Sequence, residues 1–152
     1  MSHSYTKIWL HAVFGTKYRQ SLIKRAFEET LHNHIRHHLE DDFGCHIRAI
    51  NGTEDHVHIL FLVDPKYAVK DLLKNIKGES SHWMNQQNLT TEKFAWQIGY
   101  GALSVSESNV NQVERYIRNQ KEHHRQMTFL EEYENFVRMH GLALLLQTVE
   151  TV

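Results

Sequence analysis

The run HVHILFLV at residues 56–63 restricts what this chain can fold into more than any other stretch. It reads as a buried β-strand, and side chains alternate faces along a strand. His56 and His58 therefore point to one side, while Val57 and Ile59 point to the other. Two neutral imidazoles side by side make half of a metal site. The plain alternative is a strand with two surface or hydrogen-bonded histidines.

The flanking segments give that strand its neighbours. YTKIWLHAVF, Tyr5 to Phe14, is rich in β-branched and aromatic residues and suits a first strand. From Ser21 to about Glu40, the positions Leu22, Ile23, Phe27, Leu31, Ile35 and Leu39 recur at gaps of three and four, the mark of one helix face. Residues 45–50 form a second strand. Asn51-Gly52-Thr53 is a turn signal that folds this strand back on the histidine strand as a hairpin. Pro65 is well placed to start a helix over about 66–87, which Gly78 interrupts. FAWQIGYGALSV, Phe94 to Val105, is extended and broken by glycines, and helices over about 109–125 and 128–140 precede an apolar tail. The order β, α, β, β, α, β predicts an α+β fold, a ferredoxin-like split βαβ with one antiparallel sheet, helices on one face and further C-terminal helices.

The chain of 152 residues is expected to be a single domain, a core over 1–125 followed by a helix and tail over 126–152. Apolar content of 41% and charged content of 23% exclude a disordered composition. No apolar run is long enough to span a membrane, MSHSYTKIW is not the pattern of a secretory signal, and a lone Cys45 excludes an internal disulfide; a cytoplasmic location is expected. The net charge of −1 advertises no nucleic-acid binder, although local basic patches can serve that role. Of the 13 histidines, the group His32, His34, His37 and His38 is expected on a helix surface.

A second polar cluster completes the chemistry. On the helix over 109–125, Val110, Val113 and Ile117 form a narrow apolar stripe, and Tyr116 and Gln120 border it four residues apart, with His123 one turn further. If that border faces His56 and His58, the Gln120 amide oxygen can supply a third metal ligand and the Tyr116 phenol lies beside the ion. A divalent ion there polarises a phosphoryl oxygen. Tyr116 can then attack phosphorus and form a covalent ester that preserves the energy of the broken phosphodiester, so that strands can be rejoined with no nucleotide cofactor.

These motifs carry a resemblance. HVHILF resembles the His-hydrophobic-His motif of the HUH endonucleases, and WQIGYGALSVSESNVNQVERYIRNQKEHH is similar to the tyrosine helix and preceding strand of the single-tyrosine transposases of the IS200/IS605 type, including relatives associated with repetitive extragenic palindromes. It runs from about Tyr5 to Arg125. The resemblance implies a metal-dependent nuclease and strand transferase for single-stranded DNA with hairpin ends, with Tyr116 as nucleophile and His56, His58 and Gln120 as ligands. It also implies a 5′-phosphotyrosine with a free 3′-hydroxyl, Mg2+ or Mn2+ as the ion, and a homodimer.

Candidate DNA contacts are Arg115, Arg118, Lys121 and Arg125 around the tyrosine, then Lys77, Lys70 and Lys74 on the second helix, and Lys17 and Arg19 after the first strand. Trp9, Trp83 and Trp96 can stack on unpaired bases, with core packing expected for at least two of them. Asp55 and His123 are possible accessories, the first as an acceptor behind a ligating imidazole. Competing readings are a domesticated hairpin-DNA nuclease or binding protein, and a small phosphate-ester hydrolase that uses water. The hydrolase is disfavoured because no His-x-Thr or His-x-Ser partner motif accompanies the pair, and Leu60 stands where a histidine triad needs its third imidazole.

Overall fold

A computed structural model describes residues 3–122, 128, 130–132 and 134–135. Four strands form one antiparallel sheet: β1 (Trp9–Gly15), β2 (His46–Gly52), β3 (His56–Leu62) and β4 (Gly101–Val105). Their spatial order is β2-β3-β1-β4. With α1 (Arg25–His37) between β1 and β2, and α2 (Val69–Gln87) between β3 and β4, this is the expected split βαβ arrangement.

Alternation along the strands divides two cores. Leu10, Ala12 and Phe14 of β1 and Val57, Ile59 and Phe61 of β3 pack with Phe27, Leu31 and Ile35 of α1 and Leu72, Leu73, Ile76 and Met84 of α2. On the opposite face, Trp9, Ala49, Leu60 and Val105 receive Val110, Val113 and Ile117 of α3 (Val110–Arg118). Each fully buried side chain of this kind contributes roughly 1.5–3 kcal/mol by leaving water. The apolar stripe of α3 thus lies on the same side of the sheet as His56 and His58. Arg48 on β2 pins the helix there, its Nε donating to Glu114 at 2.9 Å and its Nη2 to Asn111 at 2.6 Å.

The β2–β3 hairpin forms as the Asn-Gly signal predicts, but Asn51 and Gly52 end the strand and Thr53–Asp55 make the turn. Gly52 is there because of a close approach: a Cβ at this position would lie 2.0 Å from the His56 carbonyl oxygen. That carbonyl also accepts the Thr53 N–H at 3.0 Å. The turn therefore fixes where the histidine strand begins.

Four local expectations are corrected. The first strand starts at Trp9, leaving Tyr5 exposed. Pro65 stands in the turn before α2, which begins at Val69 with Ala68 as its cap. Gly78 does not interrupt α2, because burial of Leu72, Leu73, Ile76, Ser80 and Met84 outweighs the roughly 1 kcal/mol cost of one helical glycine. Among the α1 histidines, His32 is buried rather than on the surface. The expected helix over 128–140 and the apolar tail lie largely outside the described residues.

Gly78 is exposed, and a Cβ added there would meet nothing within 4 Å. Gly78→Ala should therefore stabilise the protein by about 0.5–1 kcal/mol in urea denaturation, through a less flexible unfolded chain. Destabilisation would mean that α2 needs the glycine.

Candidate active site

His56 and His58 are both buried on the face that α3 covers. Each ring has one nitrogen occupied from behind. His56 Nδ1 lies 2.7 Å from Asp55 Oδ1 and 2.9 Å from Thr53 Oγ1, and His58 Nδ1 lies 2.8 Å from Nε2 of buried His11 on β1. A ring nitrogen held this way fixes the orientation of the imidazole and turns the other nitrogen towards the pocket. Both Nε2 atoms accordingly face the C-terminal segments.

The tyrosine helix is broken where the site needs it. Regular turns of α3 stop at Arg118, Asn119 takes φ −96° and ψ 20°, and helical geometry resumes over residues 120–122. Asn51 of β2 caps the break, its Nδ2 donating to the carbonyls of Ile117 at 3.0 Å and Arg118 at 3.1 Å. Lys121 ties the second piece to the hairpin by donating to the Gly52 carbonyl at 2.8 Å, and it pairs with Glu28 of α1 at 2.5 Å. Gln120 is thereby fully buried, with Oε1 3.1 Å from His56 Nε2. The Tyr116 ring stands edge-on to His58, with centroids 5.9 Å apart.

Glu132 joins these groups. Its Oε1 accepts the Tyr116 hydroxyl at 2.5 Å and the Gln120 amide at 2.8 Å, and it lies 3.1 Å from His58 Nε2. Its second oxygen lies 3.5 Å from His56 Nε2. One ligand atom from each of His56, His58 and Glu132 lies within 4.8 Å of the others. Two imidazole nitrogens, a carboxylate and the Gln120 carbonyl oxygen are a donor set that fits a divalent cation. Such sites use the neutral imidazole and the ionised carboxylate.

The charges balance through contact. Burial alone would lower the His56 pKa, but the carboxylates of Asp55 and Glu132 reverse that and raise it to about 9. Burial alone would raise the Glu132 pKa, yet its hydrogen bonds to His56 and His58 hold it far below the usual carboxylate range. The Tyr116 phenol is pushed up, first by burial and then by its hydrogen bond to the Glu132 carboxylate.

The structure thus brings together Tyr116, His56, His58, Gln120 and Asp55 within one chain. Lys121 and Lys77 are turned inward, the latter donating to the carbonyls of Gln97 at 2.7 Å and Gly99 at 2.5 Å. Arg115 and Arg118 are exposed, with Arg118 3.5 Å from Glu114. His123 and Arg125 lie outside the described residues. Trp9 and Trp96 are buried, and Trp83 stacks on His34 with centroids 4.1 Å apart.

Sequence reasoning missed His11, Thr53 and Glu132. His11 could have been found: it shares strand parity with Trp9 and Val13, facing the side that carries the histidine pair. The pattern Thr128-x-x-Glu131 resembles a helix-start signal, and the Glu131 N–H does bond Thr128 Oγ1 at 3.2 Å. Nothing in that signal directs the next residue, Glu132, into a site at the far sheet face.

Comparison with known proteins bears on the family and the fold. Residues 4–120 match the family model described as IS200-like transposase. The ISDra2 transposase TnpA of Deinococcus radiodurans is 27% identical over 115 residues, covering 72% of this chain and 81% of that protein. The crystal structure of a transposase from Deinococcus radiodurans R1 superposes with a TM-score of 0.62 at 26% identity, covering 79% of this chain and 95% of that one. A REP-associated tyrosine transposase bound to a REP hairpin shares the fold at a TM-score of 0.59 and 15% identity, over 82% of this chain and 74% of that one.

With its pKa raised to about 9, His56 is protonated below that pH, and a divalent ion bound there would have to displace its proton. Mn2+ affinity should rise by up to about tenfold per pH unit from 7 to 9, with about one proton released per ion. Titration calorimetry in buffers of different ionisation enthalpy checks this. Affinity that does not change with pH would contradict it.

Proposed function

This chain is a member of the IS200-like family of transposases, and from that premise we propose that it cleaves and rejoins single-stranded DNA through Tyr116. The observation that carries the reading is the meeting of the Tyr116 hydroxyl, the Gln120 amide and both imidazoles around the Glu132 carboxylate. A nucleophile, its supporting amide and a cation-binding set occupy one buried cluster.

His56 and His58 through Nε2, Gln120 through Oε1 and the Glu132 carboxylate would hold a divalent ion, Mg2+ or Mn2+. Such an ion offsets the charge that develops on a phosphoryl oxygen and favours the phenolate over the phenol. Asp55, Thr53 and His11 keep the two imidazoles oriented while the strand enters. The Tyr116 oxygen attacks phosphorus and gives up its proton, and the 3′ oxygen departs as a hydroxyl. The 5′-phosphate remains on Tyr116 as an ester, and a second 3′-hydroxyl reverses the step to join strands. Arg115 and Arg118, exposed on the tyrosine helix, would neutralise phosphates beside the chemistry.

The substrate in this reading is a single strand with a hairpin near its end, as in the hairpin complex of the structural neighbour. Among the described residues no helix is long and apolar enough to cross a membrane. A homodimer remains part of the proposal on family grounds, although the described cluster draws on one chain.

Tyr116→Phe should abolish the covalent protein–DNA adduct and lower cleavage by several orders of magnitude, while affinity for the strand stays close to wild type. Denaturing gels with a 5′- or 3′-labelled oligonucleotide read both. Cleavage at the wild-type rate would overturn the tyrosine mechanism, and products released with no adduct would favour attack by water.

A further inference from the structure

The exposed aromatic nearest in sequence to the histidine strand's partner is not one of the tryptophans. β1 ends at Gly15, which pairs with His56, and the chain then turns sharply through Lys17, Tyr18 and Arg19. Tyr18 has φ 55° and ψ 19°, and Arg19 has φ 54°. Two consecutive residues with side chains therefore occupy the left-handed region, which costs energy that glycine would avoid. The Tyr18 ring recovers little of it by burial, for it is 78% exposed.

The turn is nevertheless held firmly. Thr16 N–H donates to the Asp55 carbonyl at 2.8 Å, and the Lys17 N–H donates to the Ala95 carbonyl at 2.9 Å. Arg19 N–H bonds the Thr16 carbonyl at 3.0 Å, and Thr16 Oγ1 donates to the Gln20 carbonyl at 2.6 Å. The Tyr18 N–H itself donates to Gln97 Oε1 at 3.2 Å. Gln97 is in turn fixed by its N–H to the Gly15 carbonyl at 2.8 Å and by Lys77 on its own carbonyl. Next to Gln97 in the chain, Ile98 is 85% exposed. Over-determined strain of this sort, spent on a side chain that faces solvent, is characteristic of a ligand clamp.

The chemistry of the turn selects the ligand. An exposed phenol ring flanked by two cations, with Lys17 Nζ 5.5 Å from the ring centroid, offers a stacking face beside phosphate-neutralising charge. That combination suits an unpaired base and its backbone, whereas a duplex hides its base faces. Gly15 and Tyr18 are three residues apart, so at most about 11 Å of backbone separates the ring's Cα from the strand position opposite His56.

We propose that Tyr18 is a stacking platform for an unpaired base of the DNA strand, with Lys17 and Arg19 on its phosphates and Ile98 beside it. It rests on the single-strand reading above, and it adds a base-binding position that Tyr116 and the histidine pair do not supply. The platform positions the strand and takes no part in the bond that breaks.

The test is equilibrium binding of a fluorescent oligothymidylate of about twenty nucleotides, in EDTA so that no cleavage occurs. Tyr18→Ala should weaken binding roughly five- to hundredfold, and Tyr18→Phe should keep it. The salt dependence should be unchanged in Tyr18→Ala, whereas Lys17→Ala should lower its logarithmic slope by about 0.7. Tyr18→Gly separates binding from folding: it should lose affinity like Tyr18→Ala while the protein melts no lower than wild type, because glycine fits φ 55° without strain. Wild-type affinity in Tyr18→Ala, or an equal loss of affinity for a duplex of the same length, would overturn the platform. Failure of the underlying reading shows separately, as cleavage by Tyr116→Phe at the wild-type rate.

Discussion

Everything in this site depends on the two-residue alternation of β3. With β1 on one side and β2 on the other, it is paired along both edges and cannot slip by one residue without exchanging faces. The register sends Val57, Ile59 and Phe61 into the core under α1 and α2. The same register sends His56 and His58 to the opposite face, where α3 lies over Leu60. Burial of the apolar half thus holds the polar half in place. The sheet's own geometry presents the imidazoles to the C-terminal segments, and His58 meets Tyr116 of α3 there.

The hairpin before β3 does the complementary work on the helix. Asn51, Gly52, Thr53 and Asp55 lie consecutively or nearly so, and they divide three tasks. Asn51 caps the break in the tyrosine helix, and the Gly52 carbonyl receives Lys121. Thr53 and Asp55 hold the back of His56. One turn therefore connects the strand that carries the imidazoles to the helix that carries the phenol. Lys121, which charge alone assigns to DNA, is also bound to Glu28 and the hairpin backbone.

Periodicity made much of this legible in the sequence. The order of the elements and the placement of Tyr116 and Gln120 beside an apolar stripe follow from gaps of two, three and four residues, and the hairpin from the Asn51-Gly52 turn. Less visible were features set by a single contact at long range. Pro65 and Gly78 are strong local signals, yet α2 ignores both, because its buried positions outside their reach decide where it starts and whether it continues. Charge was the poorest guide, since a lysine spaced for solvent can be drawn to a carbonyl, as Lys77 is to Gln97 and Gly99. Glu132 was illegible because nothing near it in sequence specifies the sheet face that it reaches.

In the proposed mechanism one chain's β3 histidines serve that same chain's tyrosine, since Tyr116 and His58 of one chain meet at the Glu132 carboxylate. Mixing Tyr116→Phe protein with His58→Ala protein, and looking for a covalent DNA adduct by denaturing electrophoresis, tests it directly. The account predicts that the mixture stays as inactive as either variant alone. An adduct restored on the His58→Ala chain would show that the tyrosine works against a partner's histidines, and would contradict it.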